Sequence, residues 1–115
     1  LDKLHIIGIA GSLRRGSYNK MLLNAAKELA EDKMLIEEFD ISDIPMFNTD
    51  VEQIAVPEIV VELKEKIRHA DGLLIATPEY NYSIPGVLKN TIDWASRTTK
   101  DTPLHLKPVA MIGGS

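Results

Sequence analysis

The stretch that decides the fold is "LHIIGIAGSLRRGSYNK", Leu4–Lys20. Its first seven residues, Leu4–Ala10, are apolar apart from His5. A run without polar alternation fits a parallel strand covered on both faces. Gly11 and Gly16 then stand at the glycine spacing of a triphosphate-binding loop, but Ser17-Tyr18 occupies the place where that loop needs Lys followed by Ser or Thr. The G-x-G-x-x-G pattern of a dinucleotide pyrophosphate site is also missing from "GIAGSL". What remains is Ser12, Arg14, Ser17 and Asn19 gathered at the start of a helix. A helix start offers unsatisfied N–H groups and about half a positive charge, so it favours an anion. Hydroxyls, a guanidinium and a carboxamide around it suit a terminal phosphomonoester, near-dianionic at neutral pH. The plainer reading of the same residues has Ser17 capping the helix and Arg14 in solvent.

Working outward, Met21, Leu22, Ala25, Ala26, Leu29 and Ala30 repeat at helical spacing and predict a helix from Tyr18 to Glu31. "MLIEEFDIS" (Met34–Ser42) reads as a second strand, polar enough to lie near a sheet edge. "DIPMFNTDVEQIAVPE" (Asp43–Glu58), with two prolines, reads as a long connection. Pro57 suits the first turn of a helix whose apolar face is Ile59, Val60, Leu63 and Ile67. "GLLIAT" (Gly72–Thr77) is a third strand, and Val87, Leu88, Thr91, Ile92 and Ala95 mark a third helix. "PVAMIGG" (Pro108–Gly114) supplies a fourth strand and the start of a loop.

Strands alternating with helices through right-handed crossovers imply a parallel sheet wrapped by helices on both faces, an α/β fold. Such sheets bind ligands beyond the carboxyl ends of their strands. The loops there are "GSLRRGSYN", "PEYNYS" and "GGS". In the second, Pro78 and Pro85 stiffen a turn carrying Tyr80, Asn81, Tyr82 and Ser83, placed where a flat ring would lie if its phosphate sat on the first loop.

With "GSLRRGSYN" and "PEYNYSIPGVLKNTIDW" both in view, the whole chain resembles the NAD(P)H-dependent FMN reductases of flavodoxin-like fold, a family that includes quinone, azo-dye and chromate reductases. The resemblance implies a doubly wound parallel sheet, of order 2-1-3-4-5 in the family. It implies that Ser12, Arg14, Ser17 and Asn19 bind the FMN phosphate, with Tyr18 in the same loop. Pro78, Glu79, Tyr80 and Asn81 would run along the ribityl chain and ring, and Gly113 and Ser115 would begin the loop that closes around the flavin. It further implies NADPH or NADH as co-substrate, two-electron transfer to a small-molecule acceptor, and a homodimer or homotetramer. Family members continue with more helix and a fifth strand. Residues 1–115 therefore read as one flavodoxin-like FMN-binding domain, C-terminally incomplete after its fourth strand.

Composition narrows the alternatives. A formal net charge of -4 with scattered Lys and Arg gives no basic stripe for nucleic acid. Without cysteine there is no thiol nucleophile or disulfide, and no apolar run reaches the roughly 18 residues of a membrane span, so the chain reads as cytoplasmic. His5, His69 and His105 lack metal-ligand spacing and read as structural, and no metal is expected. Trp94 reads as core or interface. An FMN electron carrier with no nicotinamide reaction is a second reading, weakened by the modest acidity and the "RR" pair. A phospho-receiver domain would need carboxylates beside the first and third strands, and "GIAGS" and "LLIATP" carry none.

Overall fold

The computed structural model describes residues 2–11, 18–77, 86–96 and 102–113. Strand β1 (Leu4–Ala10) is central, with β2 (Met34–Glu38) on one side and β3 (Gly72–Ala76) on the other. Strand β4 (Val109–Ile112) lies beyond β3, and all neighbours pair in parallel, in the order β2-β1-β3-β4. This is the order expected for the first four strands, with the polar second strand at an edge.

Residues of a strand alternate between its two faces, so a central strand must satisfy two different layers. On one face of β1, Ile7 and Ile9 pack with Val60, Leu63 and Ile67 of helix α3 (Glu58–His69) and with Leu88, Trp94 and Ala95 of helix α4 (Gly86–Ser96). On the other face Ala10 joins Ala76, Ile36 and Leu23, the last from helix α1 (Tyr18–Ala30). Gly8 shares that face, and a methyl group placed on it would come within 2.8 Å of Leu23 Cδ1. Small residues on this side of β1 thus let α1 approach closely, while branched residues fill the deeper layer opposite.

The buried face of α1 differs from the sequence expectation. Leu23 is fully buried, with Ala26 and Ala30 packed beside it, whereas Met21 and Leu29 are exposed. The run "MLL" leaves the phase of the helix open by one residue, and the seat above Gly8 selects Leu23.

The connection Asp43–Glu58 also holds a short helix, α2 (Thr49–Ile54). It buries no residue, and so has no apolar stripe to read. Its signal is a cap: Asn48 Oδ1 accepts from the N–H groups of Asp50 at 2.8 Å and Val51 at 3.4 Å, with Asp50 and Glu52 in the first turn. Strand β2 stops at Glu38, and Phe39, Ile41 and Ile44 are buried by the turns that follow. Pro57 stands one residue before α3 and caps it through its backbone, its carbonyl accepting from Val60 and Val61 N–H groups.

Two ties hold the connections to the helices. Trp94 is fully buried, donates from Nε1 to the Pro45 carbonyl at 2.7 Å, and meets Phe47 edge-on with ring centroids 4.8 Å apart. One turn earlier, Asn90 donates to the same carbonyl at 2.9 Å and accepts from Phe47 N–H at 2.6 Å. Trp94 is therefore a core residue. At the opposite end, Lys107 Nζ donates to Ala70 O at 2.6 Å, at the C-terminus of α3, where a cation opposes the negative end of the helix dipole. The lower edge also carries a polar cluster, in which Glu37 accepts from Lys66 Nζ and lies 3.1 Å from His5 Nε2.

Two predictions follow from these contacts. Replacing Trp94 by Ala should cost about 3–5 kcal/mol, the range for emptying a large aromatic site, as read from urea midpoints. Asn90→Ala should cost about 1–3 kcal/mol because it strands the Phe47 N–H, and an Asn90 loss exceeding that of Trp94 would overturn this account of the core. Glu37 is held below its ordinary 4.5 by the Lys66 hydrogen bond, which outweighs the opposing push from burial, with a lesser lowering from His5. A depressed carboxylate stabilises the fold above its ordinary value, and that stabilisation is lost as the pH falls through the folded value. The stability gap between the native chain and Glu37→Gln should be small, since both partners are half-exposed, and should close on acidification from about pH 7 to about pH 3. A gap that widens on acidification would reverse the assignment.

Candidate functional site

The carboxyl ends of β1, β3 and β4 finish level. Ala10 is in register with Ala76, and Ala76 with Ile112. The next residues, Gly11, Thr77 and Gly113, therefore stand side by side as a rim. Backbone bonds fasten it: Gly11 N–H donates to Ala76 O at 2.6 Å, and Thr77 N–H to Ile112 O at 2.9 Å. β2 ends earlier, because Glu38 is paired with Gly8, so the rim steps down on that side.

Helix α1 starts at Tyr18, after the loop from β1, and has no acidic residue in its first turn. The same holds for α4, which follows the loop from β3. By contrast α2 and α3, which follow β2, carry Asp50, Glu52 and Glu58 in their first turns. The positive helix ends next to the β1 and β3 loops are thus left without a carboxylate of their own, as an anion site requires.

Asn19 lies in the first turn of α1 and is only 4% exposed, which places a carboxamide within the packed base of the loop. Gly113 is exposed, one residue beyond β4. Tyr18, expected in the loop, is the first residue of α1. Ser12, Arg14, Ser17, Pro78, Glu79, Tyr80, Asn81 and Ser115 lie outside the described residues. Beside the rim, Asp40 is held below the usual carboxylate range by the N–H of Ser42, at 2.9 Å, with a weaker contribution from Lys20. Its charge stays ionised on the β2 side of the loop.

Sequence reading passed over Thr77 as merely the last residue of an apolar strand. It is 8% exposed and central to the rim. The available signal was a polar residue closing "GLLIA", between the strand and Pro78.

A cavity of about 310 Å³ lies elsewhere, between the sheet and α4, lined by Ile9, Ile75, Leu88, Thr91 and Met111 among others. Its hydroxyl, from Thr91, already donates to Val87 O at 2.9 Å. Its apolar lining offers nothing to a phosphate. Among the described residues no three His, Asp or Glu side chains are grouped to hold a metal ion, and no helix is long and apolar enough to cross a membrane.

The model of the NADPH-dependent FMN reductases matches residues 4–115. The chain belongs to this family. An NAD(P)H-dependent FMN reductase of Pseudomonas aeruginosa is 52% identical over 114 residues, which cover 99% of this chain and 61% of that protein. A quinone reductase of Escherichia coli K12 is 47% identical over 110 residues, 94% of this chain and 58% of the other. Among solved structures, FerB of Paracoccus denitrificans, a flavoenzyme NAD(P)H:(acceptor) oxidoreductase, superposes with a TM-score of 0.91 at 40% identity, covering 97% of this chain and 61% of that one. The chain thus spans about three-fifths of these relatives.

Proposed function

We propose that this chain is the FMN-binding part of an NAD(P)H-dependent reductase of small acceptors: quinones, azo compounds, chromate-like oxyanions or free flavin. One observation carries the reading. Three loops leave a level rim beside a helix start free of carboxylates, in a chain of the FMN reductase family. The donor chemistry also fits the group, because Asn19 sets a buried carboxamide in the first turn of α1, at that helix start.

On this reading Ser12, Arg14, Ser17 and Asn19 hold the phosphate, with Tyr18 next to them at the helix start. Charge-assisted donors do most of that work, since a phosphomonoester presents three acceptor oxygens. Pro78, Glu79, Tyr80 and Asn81 pass along the ribityl chain and ring, where a loop stiffened by proline keeps its backbone donors and acceptors in place before binding. Gly113 and Ser115 begin the third wall. When bound, FMN supplies hydride acceptance from NADPH or NADH and two-electron delivery to the acceptor. The protein's part is orientation and exclusion of water, and no nucleophile–base pair is called for. The reading includes a cytoplasmic location, where reduced nicotinamide nucleotides are supplied, and a homodimer or homotetramer.

The protein should quench FMN fluorescence on binding and oxidise NADPH or NADH when a quinone is added. Tight FMN binding with no nicotinamide oxidation would favour an electron carrier, and absence of FMN binding would end the proposal. Arg14→Ala should weaken FMN by roughly 10- to 150-fold, from about 1.5–3 kcal/mol for a hydrogen bond to a charged group. Riboflavin, which lacks the phosphate, should lose little. An equal loss for both flavins would remove Arg14 from the phosphate.

A further inference from the structure

Gly11 opens the loop from β1 and Gly113 opens the loop from β4, and both are pressed against one residue. A methyl group on Gly11 would lie 3.0 Å from Thr77 Oγ1 and 3.1 Å from Thr77 Cβ, and one on Gly113 would lie 3.0 Å from the Thr77 carbonyl oxygen. These separations are tighter than nine in ten real Cβ contacts, so the neighbour must give by a few tenths of an ångström, and neither Thr77 Cβ nor its carbonyl can swing aside as the end of a long side chain could. Thr77 is itself locked, being almost fully buried and donating its N–H to Ile112 O.

We propose that Thr77 is a positioning residue of the flavin site: its side chain on one side and its carbonyl on the other set how far Gly11 and Gly113, where the chain leaves β1 and β4, stand from β3. The inference rests on the FMN reading above. The phosphate and the ring are opposite ends of one ligand, held by different loops, so the spacing between those loops must match the ligand's length. The next residue after Gly11 is Ser12, at the start of the phosphate group of residues. A displacement of Gly11 is therefore passed directly to the phosphate donors, whose hydrogen bonds weaken steeply with distance and angle. Disturbing the Gly11–Thr77 contact should thus lower FMN affinity more than riboflavin affinity, although neither residue is proposed to touch the phosphate.

The test is a comparison of FMN and riboflavin dissociation constants, by fluorescence quenching, in Gly11→Ala, Thr77→Gly, the double variant and Gly72→Ala. Gly11→Ala should reduce the FMN-to-riboflavin affinity ratio by about tenfold or more, the scale of a loss caused by sub-ångström to ångström misplacement. Thr77→Gly removes two of the three atoms that the new methyl meets and leaves only Leu88 Cδ2, the end of a flexible side chain, at 3.2 Å, so the double variant should recover most of the ratio, a non-additivity that general destabilisation would not produce. Gly72 lies at the far end of β3, where an added methyl would come within 3.1 Å of Pro108 O. Gly72→Ala should therefore lower thermal stability without changing the ratio. An unchanged ratio in Gly11→Ala, no recovery in the double variant, or an equal fall in Gly72→Ala overturns the proposal while leaving FMN binding by the native chain intact. Failure of the native chain to bind FMN overturns the underlying reading and this inference with it. Should Gly11→Ala not fold, Thr77→Gly against Thr77→Ser carries the same decision. Serine keeps Oγ and Cβ and should hold the ratio, glycine should lower it, and equal ratios would refute the role.

Discussion

The constraint on which the structure depends is that β1 must bury two faces against helix layers of different depth. Toward α3 and α4 it presents Ile7 and Ile9, which enter a core with Leu63, Ile67 and Trp94. Toward α1 it presents Gly8 and Ala10, so that Leu23 can sit almost on the backbone. Each buried branched side chain contributes on the order of 1.5–3 kcal/mol of transfer free energy. The thin side contributes less area, but it brings the start of α1 close to the carboxyl end of the sheet. The asymmetry that organises the core is therefore also what sets an electropositive helix end beside the first loop.

That asymmetry explains which parts of the fold were legible. β1 and β3 announce themselves by unbroken apolar runs, and α3 and α4 by stripes whose members are buried or packed on the core. The face of α1 was misread because "NKMLLNAA" contains more apolar residues than the thin layer can bury, and only the seat above Gly8 distinguishes Leu23 from Met21. Helix α2 escaped because pattern reading looks for burial and α2 has none; its evidence is local, in the Asn48 cap. Trp94 could be assigned to core or interface from sequence, but its bond to Pro45, far away in the chain, could not.

The site divides in the same way. Residue types that bind a phosphate carry their chemistry in the side chain, so Ser12, Arg14, Ser17 and Asn19 could be singled out by composition and position. Thr77 could not, because what marks it is a crowding that only the fold reveals: two chain segments far apart in sequence from each other meet it so closely that a Cβ on either would lie about 3.0 Å from it. Glycine in a loop is usually explained by backbone freedom, and here the register of three strands gives a different reason. Gly11, Thr77 and Gly113 stand in line across the sheet, at the spacing of neighbouring strands, about 4.8 Å.

A binding site spread over three loops has a thermodynamic consequence. The segments are joined at the rim through the β1–β3 and β3–β4 ladders, so a ligand that contacts all three favours the state in which both ladders are intact. A ligand that binds only the folded state stabilises it by about 2.7 kcal/mol at a hundredfold excess over its dissociation constant. On the proposed reading FMN would therefore report on the sheet as well as occupy it. A local loosening of β4 from β3 would weaken the ligand, and the ligand would oppose that loosening by the same free energy.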